Sequence, residues 1–281
     1  INVLIFVLSF FMFYLLNKKK TYENDKDVDL NYYEKAYLYK GPNFIYNPII
    51  AMILRAKANG NIEIEKNIYT NKRGEDKVEY ILKNLNSSRL DNGERKLFET
   101  LFSLGDGDSI STRQMDKLRR TEADNYNKKF NDFIYFLEDE MVKKKLFTRE
   151  KNTLKIFISF VIFSILFFVG VVTVYNERFF GIASIFFSLF FYASLIKSFS
   201  KMTELGNKKF RELEKVEEGL RAGRGLNEED FLLALGFGLK YENVKSICEN
   251  INNKVYEIYL DEYFYKTLKT ALVGDHLLVR N

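Results

Sequence analysis

The chain has 281 residues, 43 Lys and Arg against 38 Asp and Glu, one His, one Cys and no Trp, which leaves room for one large domain or two small ones. The lone Cys248 excludes an intrachain disulfide, and with His276 as the sole imidazole a zinc site or a Ser-His-Asp triad has too few ligands or no support. The formal charge of +5 does not make a nucleic-acid binder: residues 17–155 hold 28 basic and 23 acidic side chains, and without the nine basic residues and Glu150 beside the apolar segments 19 remain against 22.

The first 16 residues are apolar apart from Asn2 and Ser9 and run into Lys18, Lys19 and Lys20. A signal peptide carries its positive charge before the apolar core and ends in small residues, and neither feature is present. We read residues 1–16 as a transmembrane helix with a cytoplasmic lysine stop, truncated at its start, so that the chain is expected to be the C-terminal part of a longer protein. Residues 17–43 are polar and Tyr-rich without firm periodicity and are expected to be an irregular linker.

Residues 44–152 are expected to form a cytoplasmic α+β domain of winged-helix-like layout. Asn47 is placed to cap a helix with Pro48 in its first position, and the apolar run Ile49, Ile50, Met52, Ile53, Leu54 follows until Asn59-Gly60 stops it. Ile62 to Glu65 alternates as a strand, residues 71–76 form a turn, and Val78 to Leu82 reads as a second strand. Leu97, Phe98, Leu101 and Phe102 mark a helical face; Ser111 caps a short helix holding Met115 and Leu118. A long helix from about Glu122 carries Phe130, Phe133, Ile134, Leu137 and Met141 at helical spacing, and residues 146–148 can close as a strand.

Two apolar runs then follow. Residues 156–175 and 179–196 carry no charge, and Asn176, Glu177 and Arg178 separate them. As helices the runs are about 27–30 Å long, the hydrocarbon thickness of a bilayer. We read them as a transmembrane hairpin; a soluble reading would need partners to cover two helices apolar on every face. The two runs contain no Asp, Glu, Lys, Arg or His, so an ion or proton pathway through the hairpin alone is disfavoured. Lysines flank every long loop, and the positive-inside rule places residues 17–155 and 197–281 in the cytoplasm of a multi-pass inner-membrane protein. The wealth of Asn, Lys, Ile, Tyr and Phe suggests an AT-rich bacterial genome.

The tail, 197–281, is expected to be helical. Leu205, Phe210, Leu213, Val216 and Leu220 mark an amphipathic helix, broken at Gly219, Gly223 and Gly225. Asn227 and Asp230 form a capping-box pattern before a helix running to Tyr241, whose Ala234, Gly236 and Gly238 offer a small-residue face for close packing. Residues 255–272 read as one Tyr-rich amphipathic helix, packed on the core or lying on the membrane.

The order of these features resembles the C-terminal half of the YciQ-like family of predicted bacterial membrane proteins, a domain of unknown function. Three stretches carry the resemblance: the helix, glycine and strand of residues 47–64; the Asn92-Gly-Glu-Arg-Lys-Leu-Phe-Glu-Thr-Leu-Phe helix; and Phe231-Leu-Leu-Ala-Leu-Gly-Phe-Gly-Leu. The last is similar to a family Leu-Pro-Tyr-Ala-Ile-Ala-Phe-Gly-Leu motif but has Leu232 and Leu233 where that motif has Pro and Tyr. The resemblance implies a β-rich external domain upstream and assigns no catalytic residue.

No other chemistry emerges. Asp106-Gly-Asp108 lacks the later ligands of a calcium loop, and Gly236-Phe-Gly238 lacks the rest of a dinucleotide fingerprint. The acidic runs at 138–140 and 228–230 read as solvated helix faces and a helix N-terminal charge. We therefore expect no catalytic, cofactor-binding or metal-binding residue, no cofactor, and a non-enzymatic anchor or scaffold that presents cytoplasmic interaction modules and relays from an external domain. Its expected partners are the bilayer, anionic headgroups near Lys18 to Lys20 and Lys143 to Lys155, and a protein. A membrane-tethered winged-helix DNA-binding regulator is the alternative, disfavoured because Glu75, Asp76 and Glu79 follow Lys72 and Arg73 on the wing.

Overall fold

The computed structural model describes residues 28–71, 73–86, 90–148, 153–176, 181–182, 185–186, 188–189, 202–251 and 253–274. The first apolar stretch, Lys18 to Lys20, Glu177, Arg178, most of the second hairpin run and His276 lie outside these residues. The chain forms two compact units: the larger joins Asp27–Lys143 to Lys208–Asn281, and the described part of the smaller lies within 144–207.

In the larger unit the chain begins with α1 (Tyr32–Lys40), inside the stretch expected to be irregular. Its N-terminus is set by the Glu34 carboxylate, which accepts the Asn31 N–H at 2.8 Å. The helix escaped a periodicity reading because tyrosines occupy several of its faces; Tyr32, Tyr33 and Tyr37 are all buried, each with its hydroxyl bonded to a carboxylate. After a single 3-10 turn (Pro42–Phe44) comes α2 (Tyr46–Ala58). It starts one residue before Asn47, so Asn47 is no cap; Pro48 sits in the first turn, where a missing N–H costs nothing. Every residue of α2 from Asn47 to Leu54 is buried, because α1, two tail helices and the sheet surround it.

Strands β1 (Ile62–Thr70) and β2 (Asp76–Asn84) pair antiparallel along their full length, from Ile62 opposite Asn84 to Thr70 opposite Asp76. Their proximal halves bury Ile62, Ile64, Tyr80 and Leu82, whereas the distal halves reach past the core and leave Ile68 62% exposed. Helix α3 (Asn92–Phe102) is held by a reciprocal capping box between Asp91 and Glu94. The short β3 (Ser109–Ser111) then joins the outer side of β2, giving the sheet order β1-β2-β3. Ser111 caps α4 (Thr112–Thr121) as expected, with Gln114 completing the box. Helix α5 (Ala123–Lys143) buries Tyr126, Phe133, Leu137 and Met141 along one stripe.

A further helix, α6 (Thr153–Tyr175), belongs to the smaller unit. Its side chains stand outward, with Phe157 63% and Phe168 69% exposed. At its far end the helical residues Gly181 and Ile185 return against it: a Cβ on Gly181 would sit 2.6 Å from the Gly170 carbonyl oxygen. Glycine at 181 allows that backbone approach, the small-residue packing found between helices in lipid. Counted over described side chains alone, no helix is long and apolar enough to cross a membrane. The helical backbone of α6 spans 23 residues. The expected strand at 146–148 is a single antiparallel bridge, Phe147 to Met202, with the Thr203 N–H donating to the Leu146 carbonyl at 2.9 Å and its hydroxyl to the Lys145 carbonyl at 2.6 Å.

The tail returns to the larger unit through α7 (Glu204–Arg221). Helix α8 (Glu228–Gly236) starts at the expected Asn227–Asp230 box but stops five residues early. Gly238 takes φ +68 in a place where a Cβ would strike the Asn47 amide, and this left-handed turn ends the helix. The small-residue face is used as expected: a Cβ on Gly236 would lie 2.9 Å from that of Ala36 on α1. Helix α9 (Tyr241–Asn250) follows, then a 3-10 segment (Lys254–Leu260) and α10 (Phe264–Val273). The last two were expected as one helix; the Asp261 carboxylate accepts the Tyr263 N–H at 3.1 Å and turns the chain between them. Phe231, at the centre of α8, packs its ring 5.0 Å from Tyr256 and 5.5 Å from Tyr259. Each such buried aromatic contributes about 1.5–3 kcal/mol by area.

Candidate functional site

The residues weighed for chemistry from the sequence are mostly occupied in structural roles. The Cys248 thiol is buried, points to the Tyr256 carbonyl oxygen at 3.4 Å, and burial pushes its pKa up to about 11. Asp106 closes its own turn, accepting the N–H of Ser109 at 2.6 Å and of Asp108 at 3.1 Å. Asp139 and Glu140 both pair with Lys143, Glu228 accepts the Tyr256 hydroxyl at 2.5 Å, and Glu229 pairs with Lys35. Among the described residues no group of three or more His, Cys, Asp or Glu is arranged to hold a metal.

Three buried polar clusters were not anticipated. At the start of α3, Glu94 receives the Tyr32 hydroxyl at 3.1 Å and faces the Arg55 guanidinium at 3.6 Å, while Asp91 receives the Tyr33 hydroxyl at 3.0 Å. Burial and the neighbouring Asp91 raise the Glu94 pKa, and Arg55 only partly offsets them. The Asp91-x-x-Glu94 spacing is a capping-box signal that the sequence reading passed over, and nothing in the sequence announces that α1 buries it. Between α1 and α7, Glu217 accepts from Tyr39 at 2.5 Å and from Lys40 and Arg221 at 2.9 Å each. On α10, the buried Lys269 ammonium lies 4.9 Å from the Tyr46 ring and 6.0 Å from that of Tyr265; burial lowers its pKa. All three join helices far apart in sequence.

The prominent cavity is elsewhere in the larger unit. A groove of about 1200 Å³ runs beneath the overhanging end of the β1–β2 hairpin, with α4 and α10 as its other wall. Its hairpin side presents Ile68, Tyr69, Arg73 and Val78; α4 contributes Thr112, Arg113, Asp116 and Arg120; α10 contributes Lys266, Thr267 and Thr270. The sequence explains its shape. On β1, Lys66 interrupts the apolar face after Ile62 and Ile64, and Ile68 beyond it is exposed, so the buried face of the hairpin lies in its proximal half. On the core side Tyr80 meets Phe264 at 5.1 Å, and beyond that contact the sheet and α10 diverge.

The charges in the groove are unevenly engaged. Each carboxylate already has a partner: Glu75 with Lys77 and the Asn71 amide, Asp76 with the Thr70 hydroxyl, Glu79 with the Asn67 amide, and Asp116 with Arg119 and Arg120. Lys66 pairs with Asp261 outside the cleft. Among the described residues, Arg73, Arg113 and Lys266 have no carboxylate partner, and Arg113 instead lies over the Tyr69 ring at 4.2 Å. The groove thus offers cations and aromatic surface, without a paired nucleophile and base. The helix before the hairpin, which a winged-helix protein would lay in a major groove, is the buried α2 and has no free face to read DNA.

Residues 35–233 match a family described as predicted membrane protein (DUF2207) C-terminal domain. The match contains the first two stretches that carry the resemblance seen in the sequence and ends within the third. No curated protein and no solved structure matches the chain.

Proposed function

The chain belongs to the DUF2207 C-terminal domain family of predicted membrane proteins, and from that premise we propose that it is a non-enzymatic membrane-anchored protein whose larger unit docks a protein partner in the groove under the hairpin. The groove carries the reading. It is wide and polar, rimmed by Tyr69 and Tyr263, and keeps three cations without carboxylate partners. Arg and Tyr at the edge of a cleft are the residues that dominate protein interfaces. Anchoring is supported by the outward Phe157 and Phe168 of α6 and by the uncharged run from 156 to 175, since such a surface is stable only when covered by lipid or protein. In the proposed topology residues 17–155 and 197–281 face the cytoplasm, residues 176–178 face outward, and lysines near 18–20 and 143–155 meet anionic headgroups.

Two measurements test this. A photo-crosslinking residue at Ile68, in the whole chain in its native membrane, is expected to give a discrete protein adduct, while one at exposed Tyr135 on α5 gives none. Equal labelling at both positions, or none at Ile68, refutes docking at the groove. For the topology, cysteine at Arg178 is expected to react with an impermeant maleimide on intact cells and cysteine at Arg224 only after permeabilisation; the reverse order refutes it.

A further inference from the structure

The groove has a second property, which lies in its main chain. Strand β2 is paired with β1 over all nine residues, but β3 covers only Ile81, Leu82 and Lys83 on the other side. Beyond β3 the chain leaves the sheet as α4, and its first residue substitutes once for a strand: the Tyr80 N–H donates to the Thr112 hydroxyl at 3.0 Å. Main-chain groups of an antiparallel strand point alternately to its two neighbours. Tyr80 and Asn84, whose N–H groups point away from β1 to Thr112 and Asp108, set the phase. Val78 and Asp76 share it, so their main-chain N–H and C=O groups face away from β1, at the wall of the groove that both residues line. A half-length of strand edge is therefore open to the cavity, and Arg73, Arg113 and Lys266 stand around it.

We propose that the groove binds an extended acidic segment of a protein partner, added as a strand on the open edge of β2 in the line that β3 abandons. The proposal rests on the docking reading above and specifies the ligand. Strand addition supplies main-chain hydrogen bonds through Val78 and Asp76, and side-chain specificity comes from what flanks the edge. Here Glu75 and Asp116 are ion-paired and Asp76 and Glu79 are hydrogen-bonded within the protein, while three cations have no carboxylate partner; cations outnumber carboxylates along the lining, which selects acidic residues at alternate positions of the incoming strand. Ile68 and Val78, opposite each other in the β1–β2 register, add an apolar contact for the residues between.

The test uses the whole chain in nanodiscs and a fluorescein-labelled octapeptide of alternating glutamate and valine, read by anisotropy. The peptide is expected to bind, the lysine–valine counterpart not to, and R113E with K266E to weaken binding about tenfold or more, since both positions are on the surface and leave the core intact. Two further peptides carry N-methyl groups on one or the other set of alternate backbone nitrogens. Binding that falls about tenfold or more for at least one of them supports strand addition, because the methyl removes donors that face β2. Equal binding of both methylated peptides and the unmodified one overturns it, as does equal competition by inorganic polyphosphate or duplex DNA. If no peptide binds but the Ile68 crosslink persists, strand addition fails and docking stands; if both are absent, docking itself has failed.

Discussion

The Glu217 cluster offers a direct measure of how strongly the tail is held to the rest of the larger unit. Glu217→Gln keeps the shape of the side chain and removes its charge. The carboxylate is only 9% exposed, and its Lys40 partner is largely covered too. Losing that charge-assisted hydrogen bond costs about 1.5–3 kcal/mol. The Arg221 pair adds about 0–1 kcal/mol because the guanidinium is 55% exposed and screened by water. Tyr39 can still donate to the amide oxygen, so the total is about 1.5–4 kcal/mol. A domain of this size loses about 2–4 °C in Tm per kcal/mol, which predicts a fall of roughly 3–16 °C. Differential scanning fluorimetry of the whole chain in nanodiscs reads it.

The same cluster sets a pH signature. Burial alone would raise the Glu217 pKa, but Lys40, Tyr39 and Arg221 outweigh it and hold the carboxyl below the usual range. A carboxyl with a lowered folded-state pKa stabilises fully above its unfolded value, about 4.3, and loses that contribution as pH falls through the folded value. The gap between wild type and Glu217→Gln is therefore widest at neutral pH and narrows on acidification below about pH 4. A variant that melts within a degree of wild type at pH 7, or a gap unchanged in acid, refutes the assignment of Glu217 as the clamp between α1 and α7.

Gly238→Val places a β-branched side chain at φ +68 and against the Asn47 amide, whose oxygen accepts the Tyr265 hydroxyl at 2.8 Å; a loss of about 2–4 kcal/mol in chemical denaturation is expected. Ser111→Ala removes the cap on α4 and should cost about 0.5–2 kcal/mol, with Ser111→Gly closer to wild type. The buried Cys248, its thiol pKa raised to about 11, should resist maleimide at pH 7.5 in the folded chain and react on unfolding, as mass spectrometry would show; rapid labelling of the native chain contradicts the packing around Tyr256.

Much of the fold was legible in order of locality. The stop after α2, the hairpin from 62 to 84, the Ser111 and Asn227 caps and the stripe of α5 are all set by residues within a few positions of one another, so spacing alone identifies them. Helix α1 was missed because its burial depends on partners 58 to 101 residues away, and tyrosine can line several faces of a helix only when distant carboxylates take the hydroxyls. The breaks at Gly238 and Asp261 were missed for the same reason: each is a local turn that an amphipathic pattern runs straight through, and each is held by what it packs against.

By itself the sequence determined the family, the uncharged run of α6 and the alternation that marks the two short strands of the β-hairpin, because these are properties of consecutive residues. Only the tertiary structure decided that the tail helices α8 and α10 enclose α2 and that α4 leaves β2 half uncovered. It alone showed which groove charges are satisfied. Whether Arg113 is bound or free depends on which carboxylates fold beside it, and those are set by long-range packing that no run of neighbouring residues encodes.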